Sequence, residues 1–224
     1  MRRFIQTTGL IGLGLLLTTF SVFAQGAGIE EDMDLLDAVI AARKALEVAE
    51  KNVGPDHPDV AMSLNRLGLV YHDQGQNALA EPLLKRELAV YEKAHGPDHP
   101  VVAMSLNNLA SLYHEQGQYA LAEPLYKREL AIYEKVHGPD HPSVAWTLNN
   151  LALFYDNQAQ YDEAETLYKR ALAIHEKAHG PDYPDVAIIL NNLAILYRAT
   201  KRETQAEELE KRAARIISLP EKQK

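Results

Sequence analysis

A repeat of 42 residues is the feature that most constrains how this chain folds. The segment Gly-Pro-Asp-His-Pro begins at Gly54, Gly96 and Gly138, and a Gly-Pro-Asp-Tyr-Pro variant begins at Gly180, so every interval is 42 residues. A unit of this length is one supersecondary motif, which cannot bury its apolar faces alone. Stacked neighbours bury them instead, which predicts a solenoid with a continuous core.

Each unit is predicted to hold two helices. The first, helix A, follows the loop, and its apolar residues in the second unit, at 103, 106, 109, 110 and 113, have helical spacing. Helix A is expected to end at Gly75 or Gly117, because glycine adopts a left-handed turn without a steric penalty. Ala159 and Lys201 replace that glycine later. The second, helix B, covers 119–135 in the same unit, and together the pairs predict an all-α solenoid of antiparallel helices.

The repeat also predicts the domain organisation. The segment 34–53 aligns with helix B alone, so the array begins with a half-repeat. The last helix B is more polar, with Glu210 where Tyr126 and Tyr168 stand, as expected where stacking ends. The predicted parts are a signal peptide at 1–24, a linker at 25–33, the half-repeat at 34–53, repeats at 54–95, 96–137, 138–179 and 180–217, and a tail at 218–224.

The N terminus has the pattern of a secretory signal peptide. Arg2 and Arg3 precede an uncharged apolar run over 10–23, and Val22 and Ala24 suit the −3 and −1 positions of a cleavage site. We expect cleavage between Ala24 and Gln25, export to the periplasm or the medium, and no stable membrane insertion afterwards. An uncleaved anchor is the alternative, although the uncharged run over 9–24 is shorter than the roughly 20 residues that a spanning helix needs.

Composition narrows the function classes. The chain has no cysteine, which excludes a disulfide scaffold, a cysteine nucleophile and thiolate-bound zinc or iron–sulfur centres. Its formal net charge is −8 and it has no cluster of basic residues, which argues against binding to nucleic acid or to anionic membranes. No phosphate loop, dinucleotide fingerprint or nucleophile elbow occurs, so we expect no cofactor. Protein or peptide partners remain.

One segment imitates a catalytic motif. His175, Glu176 and His179 spell His-Glu-x-x-His, the zinc metalloprotease signature. Sister repeats carry Tyr91 and Tyr133 in place of His175, so the motif arises from one substitution within a structural unit. We therefore predict no catalytic residue, no metal site and no enzyme.

The loop residues have a structural interpretation too. Aspartate can cap a following helix through its side chain, and proline suits the first helical position. A histidine at the end of a helix complements the helix dipole. We therefore expect helix caps from Asp56, Asp98, Asp140 and Asp182.

The repeat unit resembles a known family. Leu-Asn-x-Leu-Gly/Ala-x-x-Tyr followed by Ala-Glu resembles the tetratricopeptide repeat, with Leu64, Gly68 and Ala80 among its packing positions. The 42-residue unit, with its Gly-Pro-Asp-His-Pro loop and Ala-Glu-Pro-Leu-Tyr-Lys-Arg segment, is similar to the repeats of kinesin light chains and their bacterial relatives. The resemblance covers about 34–217. It implies a right-handed superhelix whose concave face, lined by helix A, binds extended peptide or protein segments, and it does not imply a motor function.

The positions 61, 64, 67, 68 and 71 lie on one arc of helix A and are predicted to form its core arc. A second arc of helix A holds the candidate binding residues. One column is asparagine in every repeat, and an amide can pair with a peptide backbone whatever its side chains. The alternative is that these amides only bridge neighbouring A helices. Trp146 is the chain's single tryptophan and suits a binding anchor, or else packs against the next repeat. The four columns are Met62, Met104, Trp146 and Ile188; Asn65, Asn107, Asn149 and Asn191; Leu69, Ser111, Leu153 and Ile195; and His72, His114, Asp156 and Arg198.

These observations predict a non-catalytic interaction scaffold that binds an extended segment in its groove. The expected ligand is apolar or aromatic and at most mildly acidic. The alternative is a structural subunit that self-assembles into a homo-oligomer through the ends of the solenoid.

Overall fold

The computed structural model describes residues 27–219 of the chain and the side chains of 36–219. The predicted signal peptide at 1–24 and the last tail residues at 220–224 lie outside the described residues. Within 27–219 the regular structure is entirely α-helical. The helices are α1 (Ala27–Val53), α2 (Pro58–Asp73), α3 (Asn77–His95), α4 (Pro100–Glu115), α5 (Tyr119–His137), α6 (Pro142–Asp156), α7 (Tyr161–His179), α8 (Pro184–Ala199) and α9 (Glu203–Ser218).

Consecutive helices pack against each other along the whole array. Helices α2, α4, α6 and α8 are the A helices, and each packs most extensively on the B helix that follows it. Each B helix then packs on the next A helix, and the A helices α2 and α4, like α6 and α8, also touch. Contacts between near neighbours are what a solenoid requires, so the predicted all-α array of stacked helix pairs is confirmed.

The predicted core arc of helix A is buried. Ala61 and Leu64 are fully buried in α2, and Leu67 and Tyr71 complete the same arc. Gly68 allows the closest approach in this pair, because a Cβ at that position would lie 2.8 Å from Leu84 Cδ2 in α3. The small residue at Gly68 and the large side chain of Leu84 therefore determine how closely α2 packs on α3.

The start of the array differs from the prediction. Helix α1 begins at Ala27 rather than at Asp34, so the expected linker at 25–33 is wrong from Ala27 onward. Residues 29–33 contain neither proline nor glycine, and three of them are acidic types, which favour the first turns of a helix. Nothing in this stretch stops the helix from extending towards the N terminus.

The loop aspartates are not the helix caps. In α2 the cap is His57, whose Nδ1 accepts from the backbone N–H of Asp59 at 3.2 Å. Pro58 occupies the first helical position as predicted, which makes the preceding histidine the cap and leaves Asp56 one residue too early. The expected capping role of these aspartates is therefore wrong, and each forms an ion pair with helix B instead. The pairs are Asp56 with Lys93, Asp98 with Lys135, Asp140 with Lys177 and Asp182 with Arg215.

The ends of the A helices separate the first two repeats from the last two. Gly75 and Gly117 have φ angles of 67° and 70°, in the left-handed region that glycine adopts freely. Ala159 and Lys201 adopt the same conformation with a φ of 59° each, although a Cβ makes it costly. The fold therefore imposes this turn even where the residue type resists it.

Candidate functional site

The first column of the second helix A arc is open to solvent in every repeat. The exposed fraction ranges from 36% for Trp146 to 62% for Met62, and Met104 and Ile188 lie between them. One such side chain comes from each of α2, α4, α6 and α8. We call the exposed arc of these four helices the A face.

The asparagine column behaves differently in the first two repeats. Asn65 Nδ2 donates to Glu87 Oε2 at 2.9 Å, and Asn107 Nδ2 donates to Glu129 Oε2 at 3.0 Å. Both acceptors lie on helix B of the same repeat. The sequence had suggested a peptide backbone or a neighbouring A helix as the partner of these amides. Each of these two amides therefore already makes one hydrogen bond within the protein.

In the last two repeats the column divides. Asn149 is only 5% exposed, so it does not lie on the open face as expected. Its Oδ1 accepts from Asn192 Nδ2 at 2.9 Å, which is a bridge between the A helices α6 and α8. Asn191 remains exposed. Helix B offers Asn149 no carboxylate acceptor, because Ala171 stands where the first two repeats have glutamate.

Two buried carboxylates lie behind the A face, and sequence reasoning missed them. Glu87 is 2% exposed and Glu129 is 4% exposed. Each also accepts from the next A helix, with Ser105 Oγ donating to Glu87 Oε1 at 2.7 Å and Thr147 Oγ1 donating to Glu129 Oε1 at 3.0 Å. Each carboxylate thus ties the A helix of its own repeat to the A helix of the next.

Burial controls the charge of these carboxylates. Loss of hydration disfavours the ionised form, and it raises the pKa of Glu129 to about 7 although Asn107 and Thr147 oppose the shift by donating hydrogen bonds. The pKa of Glu87 is raised for the same reason. Glu129 therefore titrates near neutral pH.

The third column becomes more open along the chain. Leu69 and Ser111 are half-buried, whereas Leu153 and Ile195 are exposed. Together with the first column they give the A face of the last two repeats an apolar surface.

The two histidines of the fourth column link neighbouring repeats, whereas Arg198 pairs within its own repeat. His72 Nε2 lies 2.9 Å from Glu115 Oε2, and His114 Nε2 lies 3.1 Å from Asn157 Nδ2. Arg198 forms ion pairs with two residues of helix α9, Glu203 at 2.6 Å and Glu210 at 2.7 Å. Asp156 is half-buried, and burial raises the pKa of its carboxyl.

Two adjoining cavities open on the A face between α4, α5 and α6. The first, called the Glu129 cavity, has a volume of about 290 Å³, and the second has a volume of about 440 Å³. Both include Asn107 and Asn150. The Glu129 cavity is lined by Met104, Asn107, Asn108, Glu129, Tyr133, Ser143, Trp146, Thr147 and Asn150, and its neighbour by Asn107, Ser111, His114, Glu115, Tyr126, Asn150, Leu153 and Asn157.

The cavities bring together predicted residues of the second and third repeats. Met104, Asn107 and Trp146 meet in the first, and Ser111, His114 and Leu153 line the second. The predicted residues of the first and fourth repeats line neither cavity. These two cavities therefore place the predicted residues of the second and third repeats around one concave part of the A face.

The two histidines of the His-Glu-x-x-His segment have different surroundings. His175 is fully buried with no hydrogen-bond partner for either ring nitrogen, and its edge meets the ring of Trp146 at 5.5 Å between centroids. Burial lowers the pKa of His175, so the ring is neutral at pH 7. His179 is exposed and stacks on Tyr183 at 4.3 Å. Among the residues described, no three potential ligands are grouped to hold a metal ion.

Known proteins share this architecture. The tetratricopeptide repeat family model matches residues 24–93, 59–135, 101–177 and 143–217. The crystal structure of BtubC (BKLC) from P. vanneervenii has a TM-score of 0.73 at 25% identity, covering 84% of this chain and 75% of that one. A P. anserina putative kinesin light chain with nearly identical TPR-like repeats has a TM-score of 0.70 at 26% identity, covering 84% of this chain and 89% of that one.

A more distant structure shares the fold alone. The crystal structure of MamA has a TM-score of 0.54 at 19% identity, covering 84% of this chain and 91% of that one. No curated protein matches the chain. The resemblance to kinesin light chain-like tetratricopeptide repeats, first seen in the repeat unit, is confirmed.

Proposed function

The chain belongs to the tetratricopeptide repeat family, and we propose that it is a non-catalytic scaffold holding an extended peptide or protein segment along its A face. Repeats of this family imply a protein–protein interaction scaffold. The observation that carries the finer proposal is the pair of adjoining cavities between α4, α5 and α6, which bring exposed apolar side chains and side-chain amides together.

The amides support recognition of a peptide backbone. Asn107 uses one N–H on Glu129, and a primary amide has a second N–H and a carbonyl oxygen. Asn150 lines both cavities and offers the same groups. Backbone recognition needs such paired donors and acceptors, with side-chain pockets supplying specificity.

The apolar column supports anchoring. Met104 and Trp146 lie on neighbouring A helices at the mouth of the Glu129 cavity, and both are exposed. Tryptophan is enriched among the residues that dominate binding energy, and methionine adapts to irregular partners. An apolar or aromatic segment is therefore the ligand that this surface suits.

The test compares two apolar-to-charged variants of the mature chain. Met104→Glu alters the A face, whereas Leu121→Glu alters an exposed residue of helix B and serves as the matched control. Affinity capture from the native periplasmic fraction should lose its partners with Met104→Glu and keep them with Leu121→Glu, while helical circular dichroism stays unchanged in both. Equal capture by the two variants would contradict binding at the A face.

We also propose that the chain is exported and cleaved between Ala24 and Gln25. The basic start, the apolar run and the small-residue site support this. Among the described helices, none is both long and apolar enough to cross a bilayer. Intact-mass analysis of periplasmic or secreted protein should find Gln25 first, and full-length chain confined to the cytosol would contradict it.

A second candidate function is self-assembly through the N-terminal end of the array. Leu36, Ile40 and Val48 are exposed along α1, and a cavity of about 640 Å³ lies between Leu36, Ile40 and Leu79. Exposed apolar surface of this kind is typical of an interface. Sedimentation velocity should then show an oligomer that grows with concentration and disappears in Ile40→Glu.

A further inference from the structure

The Glu129 cavity combines a buried acid with aromatic walls. We propose that it binds one basic side chain of the partner segment, a lysine or an arginine, an inference that rests on the peptide-binding function proposed above. The occupant would insert its cationic group towards Glu129 from the A face.

Charge complementarity supports a cation. Within the described part of the chain, the residues lining the Glu129 cavity include one carboxylate and no lysine or arginine. The adjoining cavity adds Glu115 and again no lysine or arginine. An opposite charge is attracted strongly here, because water does not fully screen a charge at a buried site.

Glu129 also has hydrogen-bonding capacity to spare. Its Oε1 accepts from Thr147 and its Oε2 accepts from Asn107. A carboxylate offers about four acceptor positions, so about two remain for an ammonium or a guanidinium group. Hydrogen bonds between two charged groups are stronger than neutral ones.

The walls and the size suit a cationic side chain. Trp146 and Tyr133 both line the cavity, and aromatic faces attract lysine and arginine. His175 supports Trp146 from the buried side and is neutral at pH 7, so it does not repel the cation. The volume of about 290 Å³ is at the lower limit of pockets that hold whole small ligands, which favours a single side chain.

Among the residues that the structure describes, the lining of the Glu129 cavity supplies no basic residue as a counter-charge for the acid. Desolvation alone raises the pKa of Glu129 to about 7, so part of the population is protonated at neutral pH. A bound cation favours the ionised form, and binding should therefore release a proton and strengthen between pH 6 and pH 8.

The repeats provide a matched control. Glu87 occupies the equivalent position one repeat earlier and accepts the equivalent hydrogen bonds from Asn65 and Ser105. At that junction Met104 stands where Trp146 stands at the next one. Replacing Glu87 should disturb a buried carboxylate without touching the aromatic cavity.

The experiment selects peptides on three forms of the mature chain: wild type, Glu129→Gln and Glu87→Gln. The probe is a random library of acetylated, amidated peptides about 12 residues long, a length that suits an extended groove. Sequences selected by wild type should be enriched in lysine and arginine at one position. That enrichment should vanish with Glu129→Gln and persist with Glu87→Gln.

A second measurement does not depend on a protein variant. Replacing the enriched lysine of one selected peptide by norleucine should weaken binding to wild type by about tenfold, measured through Trp146 emission, since charge pairs of this kind are worth at least that factor. The same replacement should have no effect on Glu129→Gln.

The outcomes distinguish the two proposals. Selected peptides without a basic position, or a basic position that survives Glu129→Gln, would overturn the cation site and leave peptide binding standing. Failure of folded wild-type protein to select any peptide would overturn the proposed function and the cation site together.

Discussion

The junction between the second and third repeats and the junction between the third and fourth join the same kinds of helices with different chemistry. At the first, Glu129 of α5 is buried against Thr147 of α6. At the second, Ala171 of α7 and Ile189 of α8 hold the equivalent positions, and both are fully buried. Stacking of neighbouring repeats therefore requires only that side chains fill the space between the helices. A buried carboxylate is not needed for this packing.

The polar junction weakens the fold at neutral pH. A carboxyl whose pKa is about 7 when folded and 4.5 otherwise binds its proton more tightly in the folded state. The contribution of Glu129 to the free energy of unfolding is therefore greatest below pH 4.5 and decreases as pH rises towards 7. Replacement by an apolar pair, as in the next repeat, avoids this cost.

The largest expected effect comes from placing an acid in the apolar junction. Ala171→Glu buries a carboxylate against Ile189 without a donor from α8, which should lower the free energy of unfolding by about 3 to 5 kcal/mol. Urea denaturation followed by circular dichroism measures the loss.

A second substitution should repair part of that loss. Ile189→Thr restores the donor that Thr147 supplies at the polar junction, so the double variant should recover about 1 to 3 kcal/mol relative to Ala171→Glu. If the double variant is no more stable than Ala171→Glu, the hydroxyl does not support the buried acid.

Removing the hydroxyl from the polar junction should have an effect that depends on pH and is smaller than that of Ala171→Glu. Thr147→Val deletes one hydrogen bond to Glu129 and keeps the side-chain shape, so unfolding should become easier by about 1.5 to 3 kcal/mol at pH 8. At pH 5, where Glu129 is protonated, the cost should be smaller. An equal cost at both values would show that the charge of Glu129 is not involved.

Glu129→Gln isolates the titration itself. Glutamine cannot ionise, so the stability of this variant relative to wild type should rise by about 1 to 3 kcal/mol as pH increases from 4.5 to 8. Urea midpoints measured across this range test the sign, and a relative stability that falls with pH would contradict it.

The smallest expected effect concerns the turns that end the A helices. Ala159→Gly should stabilise the chain by about 1 kcal/mol because it removes a Cβ from a left-handed turn. Gly117→Ala should destabilise it by a similar amount, and nothing crowds a Cβ there, so only backbone strain is tested. Thermal unfolding of both variants should show opposite shifts.

Much of the fold followed from the repeat. Fixed spacing predicted the helix pairs and the buried arc of helix A, since both depend on local periodicity. The repeat does not predict the extension of α1 to Ala27, because no repeat covers that segment. The cap was assigned to Asp56 rather than His57 because aspartate is the commoner cap type, although Pro58 already marked the position.

The candidate site was less predictable. Glu87 and Glu129 lie in charged segments that read as solvated surface, and their burial depends on donors from a different repeat. A signal did exist, because Ala80, Leu84 and Glu87 share the spacing of a buried helix face. Local pattern does not predict the burial of Asn149, since its partner, Asn192, belongs to the next repeat.

The most direct measurement is site-specific photo-cross-linking to one selected peptide. A photoreactive residue at position 104 lies at the mouth of the Glu129 cavity, and one at position 121 lies on helix B as the control. Binding along the A face predicts cross-links from position 104 and none from position 121. Cross-links from position 121 without any from position 104 would contradict it.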